Sequence, residues 1–124
     1  MTNKRPSVRA ARPSDFEKIY DRAPPVSMRA WVAELDGEVI GMAGHYLEQG
    51  CVMVFSTMKD KMRDFPITIM RASREFMTTL AKSGLPAMCV ASSDECNACA
   101  FLERLGWVHA GTSEDGEVYT WTSV

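Results

Sequence analysis

His45 stands in an apolar run three residues before Glu48, and an imidazole, with an ordinary pKa of about 6.5, is the side chain best suited to exchanging a proton near neutrality. Glu48 is the acidic candidate beside it. Cys96-Asn-Ala-Cys99 follows a strand-like segment and opens a helical one, the setting in which paired thiols acquire a lowered pKa. A redox pair of that kind belongs after the first strand of a βαβ unit, however, and Cys99 has no flanking Trp or Pro, so structural thiols are expected. Residues 92–95, Ser-Ser-Asp-Glu, would form a hydrolase triad with His45 only if a Gly-x-Ser-x-Gly turn exposed the serine. The chain has no such turn. Cys51, Cys89, His45 and His109 are too dispersed to read as a zinc site, and no metal is expected.

The elements that must position these residues follow from periodicity. A short extended piece spans residues 7–10. Ser14 followed by Glu17 reads as a capping box opening a helix, whose face is Phe16, Ile19 and Tyr20 and which the prolines at 24 and 25 stop. Asp36-Gly37 between residues 31–35 and 38–47 is a hairpin signal, because that dipeptide takes the positive φ angles of a tight turn. Period-two alternation sets His45 on one face with Val39, Ala43 and Leu47. Gln49-Gly50 turns into residues 51–58, apolar on both faces and suited to a covered central strand.

Residues 66–82 carry apolar side chains at three- and four-residue intervals between Pro66 and Gly84, which marks the main helix. A buried strand at 86–91 and a helix at 97–105, stopped by Gly106, follow. A second hairpin, 107–113 and 117–123, turns at Asp115-Gly116. The order is β-α-β-β-β-α-β-α-β-β, an α+β fold with a mixed sheet. Of the nine methionines, Met42, Met53, Met58, Met70 and Met77 are expected to fill core space, with Met28, Met62 and Trp121 as candidate exposed contacts.

With 124 residues, 46% of them apolar and 24% charged, one domain over residues 1–124 is expected. A formal net charge of −2 gives no bulk attraction to nucleic acid or anionic membrane. The apolar runs fall far short of the ~18 residues of a membrane span. The polar, basic start lacks the apolar core of a secretory signal, which sets the expected location in the cytoplasm, where the four cysteines stay reduced.

Three stretches resemble the GCN5-related N-acetyltransferase (GNAT) family: residues 8–16 (VRAARPSDF), 33–41 (AELDGEVIG) and 97–107 (NACAFLERLGW). The element order resembles that family over nearly the whole chain, trimmed of a second helix. The resemblance implies a mixed, mostly antiparallel sheet splayed between its fourth and fifth strands, residues 51–58 and 86–91, with helices on both faces in a three-layer arrangement. It implies acetyl-CoA as cofactor, its pantetheine between residues 51–58 and 87–91, and an amine as acceptor. It places the acyl carbonyl on backbone amides of Ser56, Thr57 and Met58, with His45, or Glu48, as the base that deprotonates the amine.

The pyrophosphate loop of the family corresponds to residues 63–68, Arg-Asp-Phe-Pro-Ile-Thr. Arg63 matches the family pattern, whereas Pro66 and Thr68 replace its glycine and small residue. The phosphates then lean on the remaining amides at Ile67 and Thr68 and on Lys59, Lys61, Arg63, Arg71 and Arg74. Asn97 matches the family's asparagine at the pantetheine, with Phe101 beside it on the same helix. Leu102 stands where a tyrosine general acid is usual, so no acid carries over. The compact length and the glycine-less loop most resemble divergent bacteriophage members, which implies an alternative: an inactive fold that binds a host protein or sits in a virion. Monomer and homodimer are both open.

Overall fold

The computed structural model describes residues 5–23, 26–91 and 96–122, with side chains from Ala98 onward in the last segment. The sequence reading of residues 92–95, of the prolines at 24 and 25, and of the Cys96 and Asn97 side chains lies outside what is described. Strands β1 (Ser7–Ala10), β2 (Arg29–Leu35), β3 (Glu38–Glu48), β4 (Cys51–Met58), β5 (Ala87–Ala91), β6 (Val108–Ser113) and β7 (Gly116–Trp121) alternate with helices α1 (Pro13–Tyr20), α2 (Pro66–Ser83) and α3 (Cys96–Arg104). A 3₁₀ turn at Asp60–Asp64, unforeseen in the sequence, precedes α2.

The chain forms two compact units, Met1–Tyr46 with Phe55–Ser73, and Leu47–Val54 with Arg74–Val124. Strand neighbours run β1-β2-β3-β4 and β4-β5-β7-β6, with β4 divided between the units, which makes a seven-stranded, mostly antiparallel sheet.

In the first unit, Val32 and Ala33 are both buried although they are neighbours in β2. Successive strand residues point to opposite faces, so this part of the sheet is covered on both. Phe16 of α1 packs with Val32, Val39 and Met42 on one face, while Met62 packs with Ala33 and Ile40 on the other. The register explains how Val39 reaches Met42. Ala33 pairs with Gly41 and Glu34 with Val39, so Ile40 is an extra residue on β3, a bulge that reverses the alternation beyond it. This corrects the expected grouping: Ala43 shares the face of His45, but Val39 lies on the opposite one.

Helix α1 also begins differently from its sequence signal. Its cap is Arg12, and Asp15, not Glu17, reaches back: the Asp15 carboxylate accepts the Arg12 amide at 2.8 Å. Pro13 occupies the first helical position, where a missing N–H costs nothing. The same carboxylate takes both terminal nitrogens of Arg9, at 2.8 and 3.0 Å, and Arg9 also reaches Glu34 at 2.9 Å. Asp15 is 2% exposed, and the Arg9 guanidinium holds its carboxyl well below the usual range despite burial. The helix stops at Tyr20 because Asp21 turns left-handed, at φ 55°, not at the prolines.

In the second unit, Ala87, Cys89 and Ala91 bury one face of β5 against Leu80 of α2, Trp107 and Tyr119, with Ala98, Cys99, Leu102 and Leu105 of α3 packed around them. Helix α3 ends as its glycine predicts: Gly106 has φ 95°, and the Trp107 amide donates back to the Leu102 carbonyl at 3.0 Å, a Schellman closure.

Candidate functional site

The turn from β4 into α2 is built by packing. At the end of β4 the Lys59 amide donates to the Ile40 carbonyl at 2.8 Å, so the bulge supplies the acceptor that ends the strand. The Met62 amide then donates to Lys59 and the Phe65 amide to Met62, at 2.9 and 3.0 Å. Met62, expected at the surface, is 4% exposed. It sits against Ile40 and Ala33 with Met58, Phe65 and Ile69 around it. Gly41 packs beside it: a Cβ there would lie 3.5 Å from Met62 Cγ, an ordinary van der Waals contact.

Pro66 follows, and the Ile69 amide makes the first bond of α2, to the Phe65 carbonyl at 3.1 Å. The amides of Ile67 and Thr68 have no partner within the helix, Phe65 has no side-chain oxygen to cap them, and the first turn carries no acidic residue. Ile67 is exposed and Thr68 half-buried, with the exposed Arg63 a few residues before them and the exposed Arg71 one turn into the helix. Two amide donors at the positive end of an 18-residue helix, flanked in sequence by guanidinium groups, suit an anion.

Lys59 and Lys61 do not join them as expected. Both turn to Glu38, at 3.6 and 2.8 Å, and the pairing lowers the Glu38 pKa and raises that of Lys61.

His45 pairs across the ladder with Arg29, and its ring lies 5.9 Å from that of Trp31. It is half-buried, and burial, then the Arg29 charge, push its pKa below 6.5. The imidazole is therefore neutral at pH 7 and able to take a proton. On β4, Ser56 is exposed, whereas the Thr57 hydroxyl is hydrogen-bonded to the Tyr20 hydroxyl. Tyr20 stacks on Phe16 at 4.5 Å, and Phe55 lies 6.4 Å from both rings and 6.5 Å from Tyr46. The sequence reading used Phe16 and Tyr20 only as a helix face and missed this cluster. Phe55, one residue before Ser56, was the available signal.

In the second unit, Glu48 is exposed at the end of β3. The parallel ladder of β4 with β5 holds two residue pairs, Val52 with Ala87 and Met53 with Met88, while β5 pairs with β7 over all five residues. From Cys89 onward β5 has a ladder partner on one side only. Asn97 lies in the first turn of α3, and Phe101 on that helix is half-buried.

Cys99 packs with the core and hydrogen-bonds Tyr119, which pushes the Tyr119 pKa up to about 12. Burial pushes the Cys89 thiol up to about 12 as well. Cys89 is therefore not an activated thiolate. Among the described residues no cluster of three His, Cys, Asp or Glu side chains could hold a metal ion, and no helix is long and apolar enough to cross a membrane. His109, unnoticed as a partner in the sequence, meets Glu117 at 2.7 Å on the last hairpin, and Thr112 donates to the same oxygen.

No protein-family model matches the chain, and no curated protein matches it by sequence. Its fold is shared with solved N-acetyltransferases, including acetyltransferases of the GNAT family from Staphylococcus aureus Mu50 and Streptococcus pneumoniae. An N-acetyltransferase from Staphylococcus aureus Mu50 superposes with a TM-score of 0.71 at 14% identity, over 98% of this chain and 100% of that one. The ribosomal-protein-S18-alanine N-acetyltransferase from Escherichia coli gives 0.67 at 15% identity, over 95% and 94%. The N-acetyltransferase PseH from Campylobacter jejuni, solved with acetyl coenzyme A, gives 0.60 at 9% identity, over 90% and 77%.

Proposed function

We propose that this chain is an acyl-CoA-dependent N-acyltransferase that moves an acetyl group from acetyl-CoA to an amine. The observation that carries the reading is the opening of α2, where the Ile67 and Thr68 amides have no helical partner and the first turn of the helix carries no acidic residue, with Arg63 and Arg71 close in sequence. A pyrophosphate fits such a donor set. Bound acetyl-CoA supplies a thioester whose carbonyl carbon the amine attacks, a C–N bond forming as C–S breaks and the thiol leaves with a proton.

In this reading Ile67 and Thr68 bind the phosphates through backbone and Arg63 and Arg71 through charge. The backbone of β5 beyond Met88 serves the pantetheine with Asn97 and Phe101. The amides of Ser56 to Met58 polarise the carbonyl. His45, neutral at pH 7, accepts the proton of the amine, with Glu48 the second candidate.

Calorimetric titration with acetyl-CoA tests the reading. Micromolar binding is expected, weakened about tenfold by Arg63→Ala or Arg71→Ala, the size of one charge-assisted hydrogen bond. Absence of binding at millimolar cofactor overturns it in favour of a fold that only docks on another protein. The rate should fall as pH drops below the depressed pKa of His45, and a His45→Gln enzyme with an unchanged pH profile removes that residue from the mechanism.

A further inference from the structure

Tyr20, the last residue of α1, ties that helix to β4. Its hydroxyl is hydrogen-bonded to the Thr57 hydroxyl, and its ring is fixed by Phe16, 4.5 Å away and one turn earlier, and by Phe55 at 6.4 Å. Phe16 and Tyr20 share a helix face through their i, i+4 spacing. The start of the same helix is anchored to β1, because the Asp15 carboxylate takes both terminal nitrogens of Arg9. The phenol therefore reaches β4 from a braced element, and Thr57 is half-buried where the two meet.

The stretch of β4 that Tyr20 holds has a ladder partner on one side only among the described residues, because the pairing with β5 ends at Met53 with Met88. Successive amides of a strand point to opposite sides. Lys59, still extended, donates to the Ile40 carbonyl of β3, whereas Val52 donates to the Pro86 carbonyl ahead of β5. Alternation from either bond gives the same result: the Thr57 amide faces β3, and the Ser56 and Met58 amides face away from it, past the end of the ladder. Met58 packs with Met62 and Ile40, and Ser56 is exposed. Thr57 lies between them, so its side chain is the point from which both amides are held. We infer that Tyr20 is a positioning residue for acyl transfer: acting through Thr57, it sets the Ser56 and Met58 amides against the thioester carbonyl, and the Thr57 amide takes no part. The inference rests on the acyl-transfer reading and narrows its carbonyl site to two amides.

Infrared difference spectroscopy of the full chain with acetyl-CoA isotope-labelled at the thioester carbonyl reads the polarisation with no acceptor present. The bound carbonyl band of the wild type is expected below that of the free thioester. Tyr20→Phe keeps the ring and removes only the hydroxyl; it should lose most of that displacement while calorimetric affinity for acetyl-CoA stays within about twofold, the phosphates being held at α2. Thr57→Val should lose it equally, Thr57→Ser should retain it, and the double variant Tyr20→Phe/Thr57→Val should be no worse than either single one, because the two hydroxyls act as one tie. Four results overturn the inference while binding leaves acyl transfer standing: a Tyr20→Phe band that matches the wild type, a Thr57→Ser band that matches Thr57→Val, additive effects in the double variant, or a wild-type band at the free-ligand frequency. An affinity that falls in step with the band also overturns it, since the tie then serves the fold at large. If acetyl-CoA does not bind the wild type at millimolar concentration, acyl transfer fails and takes the positioning role with it.

Discussion

Replacing Asp15 by Asn removes one charge from a buried site while keeping an oxygen for the Arg12 amide. The wild-type carboxylate is 2% exposed and accepts three hydrogen bonds, two from Arg9 at 2.8 and 3.0 Å and one from Arg12 at 2.8 Å. Breaking a fully buried ion pair costs about 3–5 kcal/mol. Arg9 retains 28% of its side-chain exposure and keeps Glu34, so water and the second carboxylate recover part of the loss, and about 2 kcal/mol is expected for Asp15→Asn.

The sign of the pH dependence follows from the depressed carboxyl pKa. Its stabilisation is fully present above the unfolded value, 3.8, and is lost as pH falls through the lower folded value. Urea unfolding of both proteins from pH 7 to pH 2.5 measures it. The difference should hold from neutrality down to about pH 5, shifting the midpoint by about 1 M, and shrink below the unfolded value. A difference under about 0.5 kcal/mol at pH 7, the size of an ordinary surface substitution, or one that stays constant into acid, would refute the assignment of Asp15 as a charged tie between β1 and α1.

Three further outcomes are expected. Gly44→Ala should destabilise by about 1–3 kcal/mol in urea unfolding, because its Cβ would lie 2.5 Å from the Arg29 carbonyl and 2.8 Å from Phe55 Cζ, and backbone cannot step aside. Met62→Ala should cost about 2–4 kcal/mol and weaken acetyl-CoA binding by calorimetry, because the turn before α2 loses its anchor; unchanged affinity would separate that turn from the cofactor. Cys89, its thiol pushed up to about 12, should resist alkylation at pH 8 in the native protein and react on unfolding, as read by mass spectrometry of labelled peptides.

The elements legible in the sequence are those with a local cause. Asp36-Gly37 adopts φ of 53° and 81° and closes the first hairpin as its residue types require, and Pro66 and Gly84 bound α2 as expected. Where the reading slipped, a distant partner had decided the outcome. Ser14 and Glu17 match a capping box, yet Arg12 is the cap and Asp15 reaches back to it, its carboxylate held in place by Arg9, six residues earlier on a strand. The face of Val39 depends on a bulge defined by the register against Ala33 and Glu34. Period-two counting has no means of seeing an inserted residue. Lys59 and Lys61 neighbour Arg63 in sequence, but Glu38, more than twenty residues away, pairs with both.

The same bulge bears on the candidate site. Glycines in an anion-binding loop let the backbone turn sharply and approach the ligand, and this turn has none between Met58 and Thr68. Its course is imposed from outside instead: the Ile40 carbonyl, displaced by the bulge, takes the Lys59 amide, and the Ile40 side chain, 0% exposed, packs against Met62. Pro66 then costs only the one amide that a first helical position leaves without a helical partner anyway, so Ile67 and Thr68 still present theirs. A rigid turn held by packing substitutes for a flexible one made by glycine. If that is its purpose, the loss of Met62 or of the Ile40 bulge should weaken anion binding at α2 as much as the loss of Arg63, although neither residue touches the anion.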